Sequence, residues 1–289
     1  MKLAVLFKFA AFTALCFVLG SCTQTLKDTG CRALQTWGYA GALSEPAATE
    51  MLQQSLSAFL EETSQALATN EEQLPLHKAS RVRILSELSH LCFILGELGA
   101  KQQREKWFQT GRYYAELLSQ EQPDRVEGHY WRALNLAGLA EVGGAGRGLR
   151  LLPVIVEELQ AALALDENYN QAGPHRILGR VRCRAPCWPL SEGDLDDSLQ
   201  HLRAAVKIAP ENSTNHLFLA ETLMQLGHDE EAVRELKRVV ACRQHALWPH
   251  GFEDDHQEAL RLMTEYKSGE GRGRRLEKMD SLALPGNVP

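Results

Sequence analysis

The sequence predicts an all-α protein assembled from helical hairpins, and three features carry that expectation. Leucine occurs 45 times in 289 residues, against 13 valines and five isoleucines. Unbranched leucine suits helices, while β-branched residues suit strands. Apolar residues recur at helical spacing, as at Leu52, Leu56, Phe59, Leu60 and Leu67. A 34-residue offset relates Ser198, Leu202, Ala205 and Pro210 to Ala232, Leu236, Val239 and Gln244. With 24% charged and 44% hydrophobic residues, neither a mainly disordered chain nor a multi-span membrane protein fits. A net charge of −6 leaves no electrostatic footprint for nucleic acid.

The chain starts with an export pattern. Lys2 and Lys8 lead into an apolar run over residues 9–19, then Gly20, Ser21 and Cys22. A run of eleven residues, all apolar but Thr13, is too short to span a bilayer, which needs about 20. Residues 1–21 are read as a signal peptide, and Leu19-Gly20-Ser21-Cys22 resembles the lipobox of bacterial lipoproteins. That resemblance implies cleavage before Cys22 and lipidation of its thiol, with Thr23 favouring the outer membrane. Residues 22–43, interrupted by Gly30, Gly38 and Gly41, read as a lipid-anchored tether. In an oxidising compartment cysteines can pair. Cys183 and Cys187 are close enough for a local disulfide, with two free thiols as the alternative. A C-x-x-x-C pair without nearby histidine is a poor zinc site.

The helical-repeat domain is expected over 44–268. A first helix starts near Ser44-Glu45-Pro46, where proline fits a first turn. Further helices are expected at 76–98, 101–120 and 126–141, with Pro123 between the last two. The cluster Gly143-Gly144-Ala145-Gly146-Arg147-Gly148 lacks the G-K-[ST] ending of a phosphate loop and reads as a flexible connection. Leu159-Gln160-Ala161-Ala162-Leu163 echoes Leu202-Arg203-Ala204-Ala205-Val206, and His175-Arg176-Ile177-Leu178-Gly179 echoes His216-Leu217-Phe218-Leu219-Ala220. The 34-residue period, with His216, Leu219, Ala220 and Leu223 between its anchors, is that of tetratricopeptide helix–turn–helix units. Hairpins at 44–98, 101–141, 149–183 and 193–243 would form a compact α-solenoid, burying Leu219 and Ala220. A last helix from residue 254, capped by Asp254 or Asp255, would close it, and the Gly-, Arg- and Pro-rich segment 269–289 reads as a disordered tail.

A finer pattern runs through the same region: Gly128-His129-Tyr130-Trp131 with Asn135, then Gly173, Arg176-Ile177-Leu178-Gly179, Ala185-Pro186-Cys187-Trp188-Pro189 and Gly193-Asp194. Over residues 80–245 this order is similar to the T-component (TatT) lipoproteins of TRAP transporters. It departs from them at Cys187, where glycine is expected, and at the turn around Cys183. The resemblance implies a periplasmic lipid-anchored protein, a homotrimer, that binds a TRAP solute-binding protein. It further implies a pore through each protomer that passes a small organic solute. The main rival is a scaffold lipoprotein for pilus or outer-membrane assembly.

Candidate ligand- or partner-binding residues are Trp131, Asn135, Arg176 and Trp188. Trp131 and Asn135 are one helical turn apart. Asn135 either lines a cavity or is satisfied by neighbouring backbone. Trp188 either closes over a ligand or plugs a gap between helices. Arg176 either holds a carboxylate or is a solvated ion-pair partner. His250, Glu253, Asp254, Asp255 and His256 have metal-ligand chemistry without a ligand spacing, so no metal is expected. No G-x-S-x-G motif and no Cys–His nucleophile arrangement occurs, so neither catalytic residues nor a cofactor are expected.

Overall fold

The computed structural model describes residues 78–186, 191, 193–242 and 249–268. The signal, the tether with Cys22, the first expected helix, Cys187, Trp188 and the tail lie outside the described residues. Among those described, every regular element is a helix. They fall into two compact units, one ending at Asp166 and the other starting at Glu167.

The first unit holds α1 (Lys78–Leu98), α2 (Lys101–Glu121), α3 (Val126–Val142) and α4 (Ala145–Leu165), each packed on the next. Its core gathers Val82, Leu85, Leu88, Leu91, Cys92, Leu95 and Leu118. Phe108 of α2 is fully buried in a slot floored by two glycines. A Cβ on Gly96 of α1 or Gly138 of α3 would lie 2.4 Å from the Phe108 ring. The absence of those two side chains lets three helices meet around one aromatic ring.

The glycine cluster is not the flexible connection expected from composition. Only Gly143 and Gly144 turn the chain, and Gly144 takes φ 74° and ψ 179°, open in practice to glycine alone. Its carbonyl then accepts from Arg147 and Gly148 N–H at 3.1 and 2.9 Å, which starts α4 at Ala145. Gly146 and Gly148 therefore sit in the first turn of a helix.

The second unit holds α5 (Tyr169–Arg184), α6 (Leu195–Ile208), α7 (Ser213–Leu226), α8 (Asp229–Ala241) and α9 (Pro249–Ser268). The pairs are α5 with α6 and α7 with α8, and α9 packs on both α7 and α8. A hairpin over 149–183 is thus corrected: α4 pairs with α3, and α5 with α6. Asp194 caps α6 by accepting from Asp196 and Asp197 N–H at 2.9 and 3.0 Å. Asn212 caps α7 through Asn215 N–H at 3.1 Å. Gly227, at φ 82°, ends α7 in a Schellman motif: its own N–H reaches Met224 O, and His228 N–H reaches Leu223 O. The 34-residue positions Leu202, Ala205, Leu236 and Val239 are fully buried, as is Ala220, with Leu219 nearly so. Helix α9 begins at Pro249, so Asp254 and Asp255 lie inside it and do not cap it.

Candidate functional site

In the first unit, α3 presents Trp131 and Asn135 to the core, and both are buried. The Trp131 indole stacks on the His90 ring of α1, with centroids 4.1 Å apart. Phe93 and Tyr130 lie 6.2 and 5.1 Å from the same ring. Asn135 Nδ2 donates to Trp131 O at 2.9 Å and to Ser89 Oγ at 3.1 Å. Ser89 Oγ in turn donates to Gly111 O of α2 at 2.8 Å. A Cβ on Gly111 would sit 2.2 Å from Asn135 Oδ1, so glycine there makes room for the amide. The amide's donors go to backbone and to Ser89, which ties α1, α2 and α3 together.

Two residues before Trp131, His129 faces two acceptors at once. Its Nδ1 lies 2.8 Å from Glu158 Oε2 of α4, and its Nε2 lies 3.0 Å from Pro123 O. Glu158 also accepts from Arg132.

The second unit opens on an unusual turn. Asn170, Gln171 and Ala172 all take left-handed φ values of 49°, 58° and 62°. Such a conformation costs roughly 1–2 kcal/mol per non-glycine residue. Arg176 reaches back to offset it. Its Nη1 donates to Gln171 O at 3.0 Å and Asn215 Oδ1 at 3.2 Å, and its Nη2 donates to Asn170 O at 3.2 Å. Asn215 also donates to Ala205 O and Ala209 O, at 3.1 and 3.2 Å. Arg176 is accordingly buried, with its guanidinium on backbone carbonyls and an amide.

The histidine device recurs in this unit, more deeply buried. His216 Nδ1 lies 2.6 Å from Glu235 Oε2 of α8, and Nε2 lies 2.7 Å from Pro210 O. Arg238 donates to the other Glu235 oxygen at 2.8 Å. Burial pushes the Glu235 carboxyl up, but the His216 and Arg238 contacts outweigh it and hold the group below its usual value.

A second histidine arrangement lies between α5 and α6. His175 Nδ1 and His201 Nδ1 are 2.9 Å apart, with ring centroids at 5.1 Å. Behind them, Glu167 is 3.5 Å from His175 Nε2 and Asp197 is 3.7 Å from His201 Nε2. Arg182 Nε holds the other Asp197 oxygen at 2.9 Å. Burial lowers the His201 pKa, with Asp197 opposing and His175 and Arg182 reinforcing the shift.

The cysteines described are thiols. Burial pushes Cys92 up to about 12, which keeps it from acting as a thiolate. Cys183 is a buried free thiol beside Gln225 Nε2 at 3.0 Å, and its sequence neighbour Cys187 lies outside the described residues. In the acidic–histidine stretch, Asp255 accepts from Ser213 Oγ and Thr214 Oγ1 at 2.7 and 2.6 Å. That joins α9 to the start of α7. Among the described residues, no three His, Cys, Asp or Glu side chains converge as a metal site, and no helix is long and apolar enough to cross a membrane.

The polar residues that fix both units are mostly ones the sequence analysis did not single out. The available signal was a repeat at 87 residues: Pro123 and His129 recur as Pro210 and His216, Ala133 and Leu136 as Ala220 and Leu223. The His175 and His201 pair had no such signal, because its members are on different helices.

Residues 190–248 match a family model described as tetratricopeptide repeat. A solved structure with similar architecture is a thermophilic tetratricopeptide protein of Thermus thermophilus, at 15% identity. The match covers 79% of this chain and 98% of that one, with a TM-score of 0.50. At that identity the likeness speaks for the fold alone. No curated protein matches the chain by sequence. Fold and matches together define an all-α, tetratricopeptide-like repeat protein, an architecture that suggests protein partners.

Proposed function

We propose that this chain is a non-enzymatic, lipid-anchored periplasmic accessory protein of a TRAP-type solute transport system. In this reading it binds the solute-binding subunit and passes a small organic ligand. The observation that carries the reading is the ordered pattern Gly128 to Asn135, Arg176 to Gly179 and Pro186 to Asp194, set on a tetratricopeptide-like body behind a lipobox. Several members of that pattern shape this fold: Asn135 ties three helices, Arg176 holds the left-handed turn, and Asp194 caps α6. A Cβ on Gly179 would lie 2.5 Å from Leu202 Cγ, so the pattern also fixes how closely α5 and α6 approach.

Two experiments test the proposal. A fatty-acid probe should label the wild type and leave Cys22→Ser unlabelled; equal labelling of both removes the lipid anchor. Pull-down from a detergent extract should recover a solute-binding protein encoded beside this chain, and Trp188→Ala should weaken that recovery without loss of helical content. Recovery of pilus or outer-membrane assembly proteins instead would replace transport with the scaffold role.

A further inference from the structure

The His175 and His201 pair poses a problem of proton placement. Each Nε2 faces a carboxylate oxygen, Glu167 at 3.5 Å and Asp197 at 3.7 Å. A carboxylate beside a ring nitrogen favours a proton there, because a lone pair would face negative charge. In the tautomer that puts a proton on both Nε2 atoms, the two Nδ1 atoms carry lone pairs that face each other at 2.9 Å; in the other, one Nδ1–H donates to its neighbour. Two lone pairs aimed at one point repel unless a cation lies between them.

We propose that His175 and His201 bind a borderline transition-metal dication, zinc or copper, through their Nδ1 atoms. The chemistry of the donors selects the class: imidazole suits zinc and copper, whereas magnesium and calcium call for oxygen. The spacing is close to that needed. Two nitrogens on a tetrahedral ion at about 2.0–2.1 Å stand roughly 3.3 Å apart, a few tenths of an ångström wider than the pair. Carboxylates stand near both outer nitrogens, within reach of the place where a metal-bound histidine commonly finds the partner that fixes its tautomer. Arg182, at 2.9 Å from Asp197, holds one of those carboxylates in place.

No third His, Cys, Asp or Glu joins the pair among the described residues. The protein therefore supplies two donors, and water or a donor group of a bound molecule fills the remaining positions. Both imidazoles are partly exposed, at 13% and 20%, which gives an ion a path from solvent. This site stands on the second unit alone and does not depend on the transport reading.

The test uses the full chain, stripped of metal with a chelator, with Zn2+ followed by titration calorimetry and Cu2+ by electron paramagnetic resonance. The expected result is one Zn2+ per chain and a Cu2+ spectrum split by two imidazole nitrogens. His175→Ala and His201→Ala should each weaken Zn2+ binding at least tenfold. Glu167→Gln and Asp197→Asn should weaken it by about tenfold, as outer partners do. Absence of Zn2+ binding overturns the proposal, as does binding that is unchanged in both histidine variants. Should the histidine variants fail to fold by circular dichroism, the wild-type Cu2+ spectrum decides: no imidazole splitting rejects the site.

Discussion

The two units solve the same packing problem with different side chains. In each, a histidine one turn into a helix joins a proline carbonyl behind it to a glutamate on the next helix: His129 with Pro123 and Glu158, His216 with Pro210 and Glu235. In each, a serine hydroxyl donates to a glycine carbonyl across a helix pair and meets a polar residue from the third helix. Ser89, Gly111 and Asn135 do this in the first unit; Ser198, Gly179 and Thr222 do it in the second. Asn135 and Thr222 are 87 residues apart, like the two histidines. The difference is in the apolar filling. The first unit seats Phe108 between two glycines, while the second seats Leu202 over one. The polar devices therefore set helix register, and the apolar residues adapt in size to whatever gap remains.

The strongest way to break this comparison is to empty the two slots. Phe108→Ala should cost about 3–5 kcal/mol and Leu202→Ala about 2–5, because each removes a fully buried side chain between closely approaching helices. Urea denaturation of each variant measures both. A loss below about 1 kcal/mol for Phe108→Ala would mean that the glycine slot collapses freely and does not define the first unit.

The histidine devices should differ by burial. The His216 and Glu235 side chains are 3% and 7% exposed, against 18% and 9% for His129 and Glu158. His216→Ala leaves the more deeply buried carboxylate short of a partner and should cost about 1.5–3 kcal/mol, the range for a hydrogen bond to a charged group. His129→Ala should cost less, since an arginine still holds the glutamate in both units and water reaches the place of the more exposed His129 more readily. Equal losses would show that burial of the pair is not what matters.

The same glutamate gives a pH signature. Glu235 has a folded-state pKa below its unfolded value of about 4.3, so its contribution is complete above that value. It is lost as pH falls through the folded value. Glu235→Gln should be less stable than wild type near neutrality, and the two should converge in acid. Urea midpoints at pH 7 and pH 3 check this; a constant gap would remove the ion-pair account.

Much of the helical architecture was legible because it is periodic. The sequence reading placed α1, α2 and α3 to within two residues, and the 34-residue offset identified the buried layer from Leu202 to Val239. The start of α4 was not legible, because four glycines suggest a loop when only Gly144 needs left-handed φ. The hairpin over 149–183 failed for a related reason: consecutive helical segments look alike in sequence whether or not they pack together. The buried setting of Arg176 depends on the left-handed turn at Asn170 to Ala172, which local propensity announces only weakly, through Asn170, since none of the three is glycine. His175 and His201, 26 residues apart, meet only through the pairing of α5 with α6.

The smallest expected effect sharpens the comparison most directly, by exchanging the polar residues at equivalent places. Asn135→Thr would give the first unit the residue that the second uses. A threonine hydroxyl can still meet Ser89 Oγ, as Thr222 meets Ser198 Oγ at 3.0 Å. It loses the donation to Trp131 O, but it also removes Asn135 Oδ1, which has no hydrogen-bond partner among the described residues. These terms oppose each other, each being on the order of 1 kcal/mol, so the net change should stay within about 1 kcal/mol. Asn135→Leu has no such compensation: it removes the donor from α3 to Ser89 Oγ, which keeps only its bond to Gly111 O, and it crowds Gly111, so it should be clearly worse. Denaturation midpoints for the two variants, measured side by side, separate the cases. If threonine proves as damaging as leucine, Asn135 is not the counterpart of Thr222, and the internal equivalence of α3 and α7 does not extend to their polar contacts.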